Sequence, residues 1–276
     1  MIVVSARTRK SPLKLVQELL LWNQLLRTLI VYRVKNDKRN TVLGNAWHLL
    51  NPLLNMMIFV FVFQFIFEKQ QENYALFFFC GMVFFRFITL CFSQGSMALR
   101  NEASLLKACY VPKSVIVVAA VLTNLYYMLI ELAVLAVLMV FFGVPPTVYT
   151  FLLVPLLVVV ALGAIGLAFL VAGLGVRLPD LPNVIQHVNR LAFYFSPVMY
   201  NVEMVENRLH KEGHDEFFVL YMLNPIASVM ETARDIVVRG AVNWGYFSYT
   251  VMFCCVLLAV GLFVFSRLER SLGKLL

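Results

Sequence analysis

Long uncharged stretches alternate with short polar ones along this 276-residue chain. Leu49 to Phe67 holds no acidic or basic residue, and about 20 apolar residues of helix cross a bilayer core. Glu68 to Glu72 is a polar break, and Tyr74 to Leu99 is a second span interrupted only by Arg86. Ser114 to Phe142 is a third, with one acid, Glu131. Leu132 to Val176 carries no charge and is too long for one helix; Gly143, Pro145 and Pro146 divide it into a helical hairpin. Tyr149 to Gly175 is then the fourth span. A weaker fifth, Val184 to Tyr200, contains His187, Arg190 and Pro197, and Gly240 to Ser266 supplies the sixth.

Two further segments are amphipathic rather than apolar. Between Ser11 and Arg33, the residues Leu15, Leu19, Trp22, Leu26 and Leu29 recur at three- and four-residue spacing. That periodicity predicts a helix lying on the membrane surface, or one packed on its own protein. Leu223 to Gly240 is too short and polar to span, which predicts a re-entrant or interfacial helix. The expected fold class is an all-α membrane protein. It has six transmembrane helices, an N-terminal amphipathic interfacial helix and external re-entrant helices. Residues 1–47 form a cytoplasmic N-terminal part and 48–276 the transmembrane domain, with a polar loop at 100–113 and an external segment at 201–240.

Composition agrees: 61% of residues are hydrophobic and 14% charged, which excludes an ordinary soluble enzyme. The net charge of +8 fits basic loops of a bilayer protein, with no nucleic-acid partner. In a six-span layout Lys69, Arg208, Lys211, Arg234 and Arg239 fall on one side and most other basic residues on the other. This asymmetry places both termini in the cytoplasm. The basic N-terminus is not followed by a short apolar run, so no cleavable signal is expected. The five cysteines lie mostly in apolar runs without metal spacing and read as reduced and structural.

The chain lacks a G-x-x-x-x-G-K-[ST] loop, so ATP-driven work calls for a partner. Gly163, Gly166, Gly173 and Gly175 read as close-packing positions of an apolar helix. His210 and Asp215, and His210 with His214 and Glu206, have spacings compatible with catalysis or a metal, but all fall on one polar loop. No metal site is expected. Arg86 and Glu131 lie near the middles of their spans, where charges are costly and pair or line a wet cavity. Arg86 therefore either pairs with Glu131 or lines a path for an anionic substrate. Phenylalanines surround Arg86, and Phe193, Tyr194 and Phe195 recur in span five; rings on a polymer path are one reading and core packing the other. Pro197 breaks span five, and irregular backbone at membrane depth needs shelter, so a pathway is expected near Ser196–Tyr200 and Leu223–Ala233.

Three segments, in order, resemble one family. Arg33–Leu53 carries Leu43, Gly44, Trp47, Leu50 and Pro52; Asn101–Lys113 reads NEASLLKACYVPK; and FSPVMY at Phe195–Tyr200 is followed by LNP at Leu223–Pro225. Together they are similar to ABC-2 type permeases that export cell-surface polysaccharides. The resemblance implies a half-transporter pairing with a second copy of itself and two copies of an ABC ATPase, which would hold ATP and Mg. This chain would bind no cofactor and be no enzyme. It implies an ATPase-coupling helix with Asn101, Glu102, Leu105, Leu106, Lys107, Tyr110 and Pro112. It implies a cytoplasmic gate with Lys38, Arg39, Gly44 and Trp47, and an external gate with Asn224, Pro225 and Met230. The substrate path would include Phe84, Phe85, Arg86, Phe193, Tyr194, Pro197 and Tyr200. The expected cargo is a lipid-linked polymer at the bacterial cytoplasmic membrane. Arg86 favours phosphate-rich teichoic acid over O-antigen or capsule. Export of small amphiphiles, or a membrane enzyme acting on lipid-linked sugars through His210 and Asp215, are the alternatives.

Overall fold

A computed structural model describes residues 12–39, 44, 46–66 and 73–272, and these are helical and connecting segments without strand. Five helical segments are long and apolar enough to cross a membrane. They are α3 (Ala46–Val60, continued by a π-helical stretch to Ile66), α4 (Tyr74–Asn101), α6 (Lys113–Phe141), α7 (Leu153–Arg177) and α12 (Trp244–Leu272). Between α4 and α6 lies the short α5 (Ala103–Ala108). Gly143 takes φ +69° and ends the third span, as the Gly-Val-Pro-Pro sequence at 143–146 predicts.

The centre of the bundle is α4, α6, α7 and α12, joined where small residues let backbones approach. A Cβ on Gly166 would meet the Leu257–Leu258 backbone of α12, and one on Gly95 the Ala168 backbone of α7. Gly163 faces Cys254 while Gly173 faces Leu268, so α7 and α12 run parallel. Gly95 against Ala168 and Gly175 against Ser96 make α4 parallel to α7 as well.

Helix α8 (Leu181–Phe195) lies antiparallel along α4. Arg100 donates to the Pro179 carbonyl at one end, Asn189 to Ser93 Oγ midway, and Tyr74 to the Met199 carbonyl at the other. The helix is one residue short of Ser196, and 196–200 are irregular. At 1.5 Å per residue α8 is only about 22 Å long, so the irregular tail completes the climb along α4.

The amphipathic N-terminal segment forms α1 (Pro12–Leu21) and α2 (Asn23–Arg39), bonded nearly continuously through Trp22. Leu15 and Leu29 are buried, and Leu19, Trp22 and Leu26 pack against the core. The predicted apolar face therefore sits on the protein itself, while Leu20, Leu21, Val31 and Tyr32 remain exposed along an edge. This defines a near end of the bundle, where α5 also lies. At the far end are α9 (Val202–Lys211), α10 (Asp215–Met222) and α11 (Pro225–Arg234, continued by a π turn to Arg239).

Candidate functional site

Two arginines are enclosed in the bundle and a third stands on one of its faces, and their surroundings differ. Arg86 of α4 lies 3.3 Å from Glu131 Oε1 of α6 and donates to the His48 carbonyl of α3 at 2.8 Å. Glu131 is buried. This answers the choice left open by sequence: Arg86 clamps three helices and its charge is neutralised. Of the rings expected beside it on the path, Phe84 is fully buried in the core. Phe85 is buried in an aromatic cluster with its edge on Phe193, 5.5 Å away. Both are core residues here, because α4 is enclosed on all sides by α3, α6, α7, α8 and α11.

Arg234 is the second, and sequence reading passed over it as one cation of an amphipathic segment. It has no exposed surface. It pairs with Glu231 at 2.8 Å, stacks 3.6 Å over the Phe77 ring, and donates to the carbonyls of Phe77, Pro197 and Val198. Its space exists because position 81 is glycine: a Cβ there would lie 2.5 Å from Arg234 Nη2. Pro197, expected on the path, is buried, and its carbonyl belongs to this cluster. Broken backbone at the end of α8 is thus satisfied by a guanidinium, as low-polarity surroundings require. Arg239 extends the network to Glu231 at 2.9 Å, to Asp235, and to Asn201 Oδ1 at 3.0 Å. Burial pushes the Asp235 carboxyl up, and the Arg239 guanidinium opposes it.

The third is Arg190 on α8. Asn183, His187, Arg190 and Tyr194 follow at i, i+4, i+7 and i+11, one face of a helix, and all four are exposed. Inward, Ile185 is buried and Asn189 bonds to Thr89 and Ser93 of α4. Those bonds put Arg190 about halfway along α4. Next to it α3 is almost bare, with Leu54, Met57, Ile58 and Phe61 exposed, and Phe59 reaching Phe193. A charged side chain facing lipid at that depth costs about 2.5–3.5 kcal/mol on insertion scales. Tyr194 and Phe193, both expected on the path, lie on or beside this face. Tyr200 donates to the Tyr194 carbonyl at 3.1 Å and accepts from Tyr221 at 3.3 Å.

The far-end segment α10–α11 forms a hairpin. Asn224 at its tip caps α11, accepting from the Ile226 amide, and donates to Ser196 Oγ at 2.9 Å. Pro225 occupies the first turn of α11, where a missing N–H is harmless. Pro225 and Ile226 border a cavity of about 210 Å³ together with Gly163 and Cys254. Cys254 lies about 15 Å down α12 from Trp244 at helical rise, so the tip dips deep and α11 climbs back to Gly240 beside Thr147. Met230 is fully buried against Gly81.

At the near end the expected coupling residues divide. Asn101, Lys107 and Tyr110 are exposed, and Trp22 lies 6.5 Å from Tyr110. Leu105 and Leu106, expected to fill a partner's groove, instead pack against the chain's own core. Glu102, expected at a free polar rim, is paired with Arg33 of α2 at 3.2 Å. Pro112 is buried at the start of α6. Gly44 takes φ +51° and Trp47 is exposed at the start of α3. The Lys38 and Arg39 side chains and the Glu68–Glu72 loop lie outside the described residues.

His210 Nδ1 does lie 3.0 Å from Asp215 Oδ1, but both side chains are over two-thirds exposed and join α9 to α10. His214 stands edge-on to Phe217. Among the described residues no three His, Cys, Asp or Glu side chains converge as a metal set.

Residues 24–238 match the model of the ABC-2 type transporter family. The chain belongs to the ABC-2 type transporter family. It is a multi-pass membrane subunit of a transporter, with ATP hydrolysis in a separate subunit. Among its relatives is an O-antigen export system permease protein RfbA of Klebsiella pneumoniae, 24% identical over 86% of this chain and 89% of the relative. Another, of the same name from Myxococcus xanthus, is 26% identical over 81% of this chain and 84% of the relative.

Proposed function

We propose that this chain is the permease half of an ATP-driven exporter of a lipid-linked cell-surface polysaccharide. Two copies face each other across α3 and α8, and each engages one copy of the ATPase. The observation that carries this reading is the exposed polar stripe of α8, with Arg190 halfway along α4. A face holding a bare cation at that depth calls for water or protein opposite it rather than lipid. The names of the two relatives support polysaccharide as cargo. The teichoic-acid expectation rested on Arg86, which is matched by Glu131, so the cargo is proposed only as a lipid-linked polysaccharide.

In this reading α8 and its irregular tail make the sixth crossing, supported by the parallel packing of α7 and α12. The near end is cytoplasmic, in accord with the basic asymmetry. There α5 offers Lys107 and Tyr110 to the ATPase, and Arg33 ties Glu102 to α2, so movement of α5 reaches the N-terminal helix. The α10–α11 hairpin guards the external end. Export of a small amphiphile is the second reading, favoured by the apolar cavity of about 210 Å³ under the hairpin tip.

The test is ATP hydrolysis in proteoliposomes holding the chain with its ATPase. Stimulation by lipid-linked glycans and not by small lipophilic cations is the expected result. The reverse pattern would replace the first reading with the second.

A further inference from the structure

We propose that Arg190, flanked by His187, is the position at which the path holds the phosphate that joins the glycan to its lipid carrier. This rests on the exporter reading. Among the described residues, the carboxylates within the bundle are already matched. Glu131 is held by Arg86, Glu231 by Arg234 and Arg239, and Asp235 by Arg239. The remaining described acids lie toward the two ends: Glu18, Glu102, Asp180 and Glu269 at the near end, Asp180 about 15 Å along α8 from Arg190, and Glu203, Glu206, Glu212, Asp215 and Glu216 on α9, α10 and the turn between them. A second copy brings the same residues, so its described part adds no spare deep carboxylate for Arg190. Among the described residues neither copy supplies a counter-charge at that depth, so the cargo is assigned to supply it.

A phosphate ester fits this face in chemistry. The guanidinium offers forked donors that match phosphate oxygens two at a time. His187 lies one turn away on the same face, about 5–6 Å between Cβ atoms, and adds a second donor. Tyr194 and the Phe193 ring continue the face toward the far end, where sugar rings behind the phosphate would lie. The neutral tail region of the cargo would meet the bare, apolar α3. In two facing copies the stripes oppose one another, so one phosphate group can be shared by two arginines.

The experiment uses the chain co-purified with its ATPase in proteoliposomes. Hydrolysis is titrated with a polyprenyl-diphosphate-linked glycan, with polyprenyl diphosphate alone, and with a neutral polyprenyl glycoside. Wild type is expected to respond to both diphosphates. Arg190→Gln is expected to need at least about tenfold more of each diphosphate for half-maximal response, Arg190→Lys much less, and His187→Asn an intermediate amount. The response to the neutral glycoside should be the same in wild type and Arg190→Gln, which a merely misfolded variant would not show. An unchanged diphosphate response in Arg190→Gln, with wild type responding, overturns the assignment and leaves the exporter reading in place. A wild-type complex that responds to no lipid-linked glycan overturns both.

Discussion

Arg86 on α4 and Arg190 on α8 lie within about a turn of the same level, yet the protein treats them oppositely. Arg86 is enclosed, paired with Glu131 and bonded to the His48 carbonyl. Arg190 stands on an open helix face with its neighbour Asn189 anchored inward. The first arrangement makes a charge structural: three helices are held by one guanidinium. The second leaves a charge for something that arrives later. Arg234 belongs with Arg86, since it is spent on Glu231 and three carbonyls.

That contrast can be broken from either side. The largest effect is expected at Glu231→Ala, which strands Arg234 without its carboxylate. Removing one partner of a buried pair costs about 3–5 kcal/mol, so thermal unfolding in detergent should shift sharply and the yield of folded protein should fall. Gly81→Val, which would strike Arg234 Nη2 and Met230, should resemble it. Next comes Arg86→Met, with a loss of about 3 kcal/mol from the abandoned Glu131. Adding Glu131→Leu should restore most of it, because an apolar pair of similar volume can replace a buried ion pair. No rescue in the double variant would return Arg86 to the path. The Arg33–Glu102 pair is partly exposed, so Glu102→Gln should cost under about 1 kcal/mol. Charge exchange between the two positions should recover ATPase coupling if α2 follows α5. Smallest is Arg190→Gln, expected to change stability by less than about 0.5 kcal/mol while impairing transport.

Much of the architecture was readable from pattern. The five long apolar helices, the break at Gly143, Pro145 and Pro146 and the close-packing glycines at Gly163 and Gly166 follow from periodicity and residue size alone, whereas the expected fifth span at 184–200 forms only the short α8 with an irregular tail. Length and polarity mark Leu223 to Gly240 as too short to span, and the segment folds as α11 with a π turn that ends at Gly240 beside Thr147. The choice among arginines was not readable. Glu131 and Arg86 are far apart in sequence, and their contact depends on how α4 and α6 pack. Leu105 and Leu106 look available in sequence, yet α5 rolls them onto the core. Arg234 gave a faint signal: a glycine in span two and a proline break in span five had to meet something, and only the tertiary structure shows that they meet the same guanidinium. His187, Arg190 and Tyr194 stand at helical spacing in the sequence, but only their exposure in the structure makes them a stripe rather than a buried polar face.

The most direct test of the central claim compares water access at two exposed faces. In a background cleared of exposed Cys109 and Cys255, single cysteines at Asn183 and Tyr194 of α8 are set against one at Val137 of α6, which is also exposed. A membrane-impermeant thiol reagent is applied from both sides to the assembled transporter. Labelling at Asn183→Cys and Tyr194→Cys, increased during ATP turnover, with Val137→Cys silent, is the predicted result. Silence at all three, or labelling at Val137→Cys alone, would contradict a path along α8.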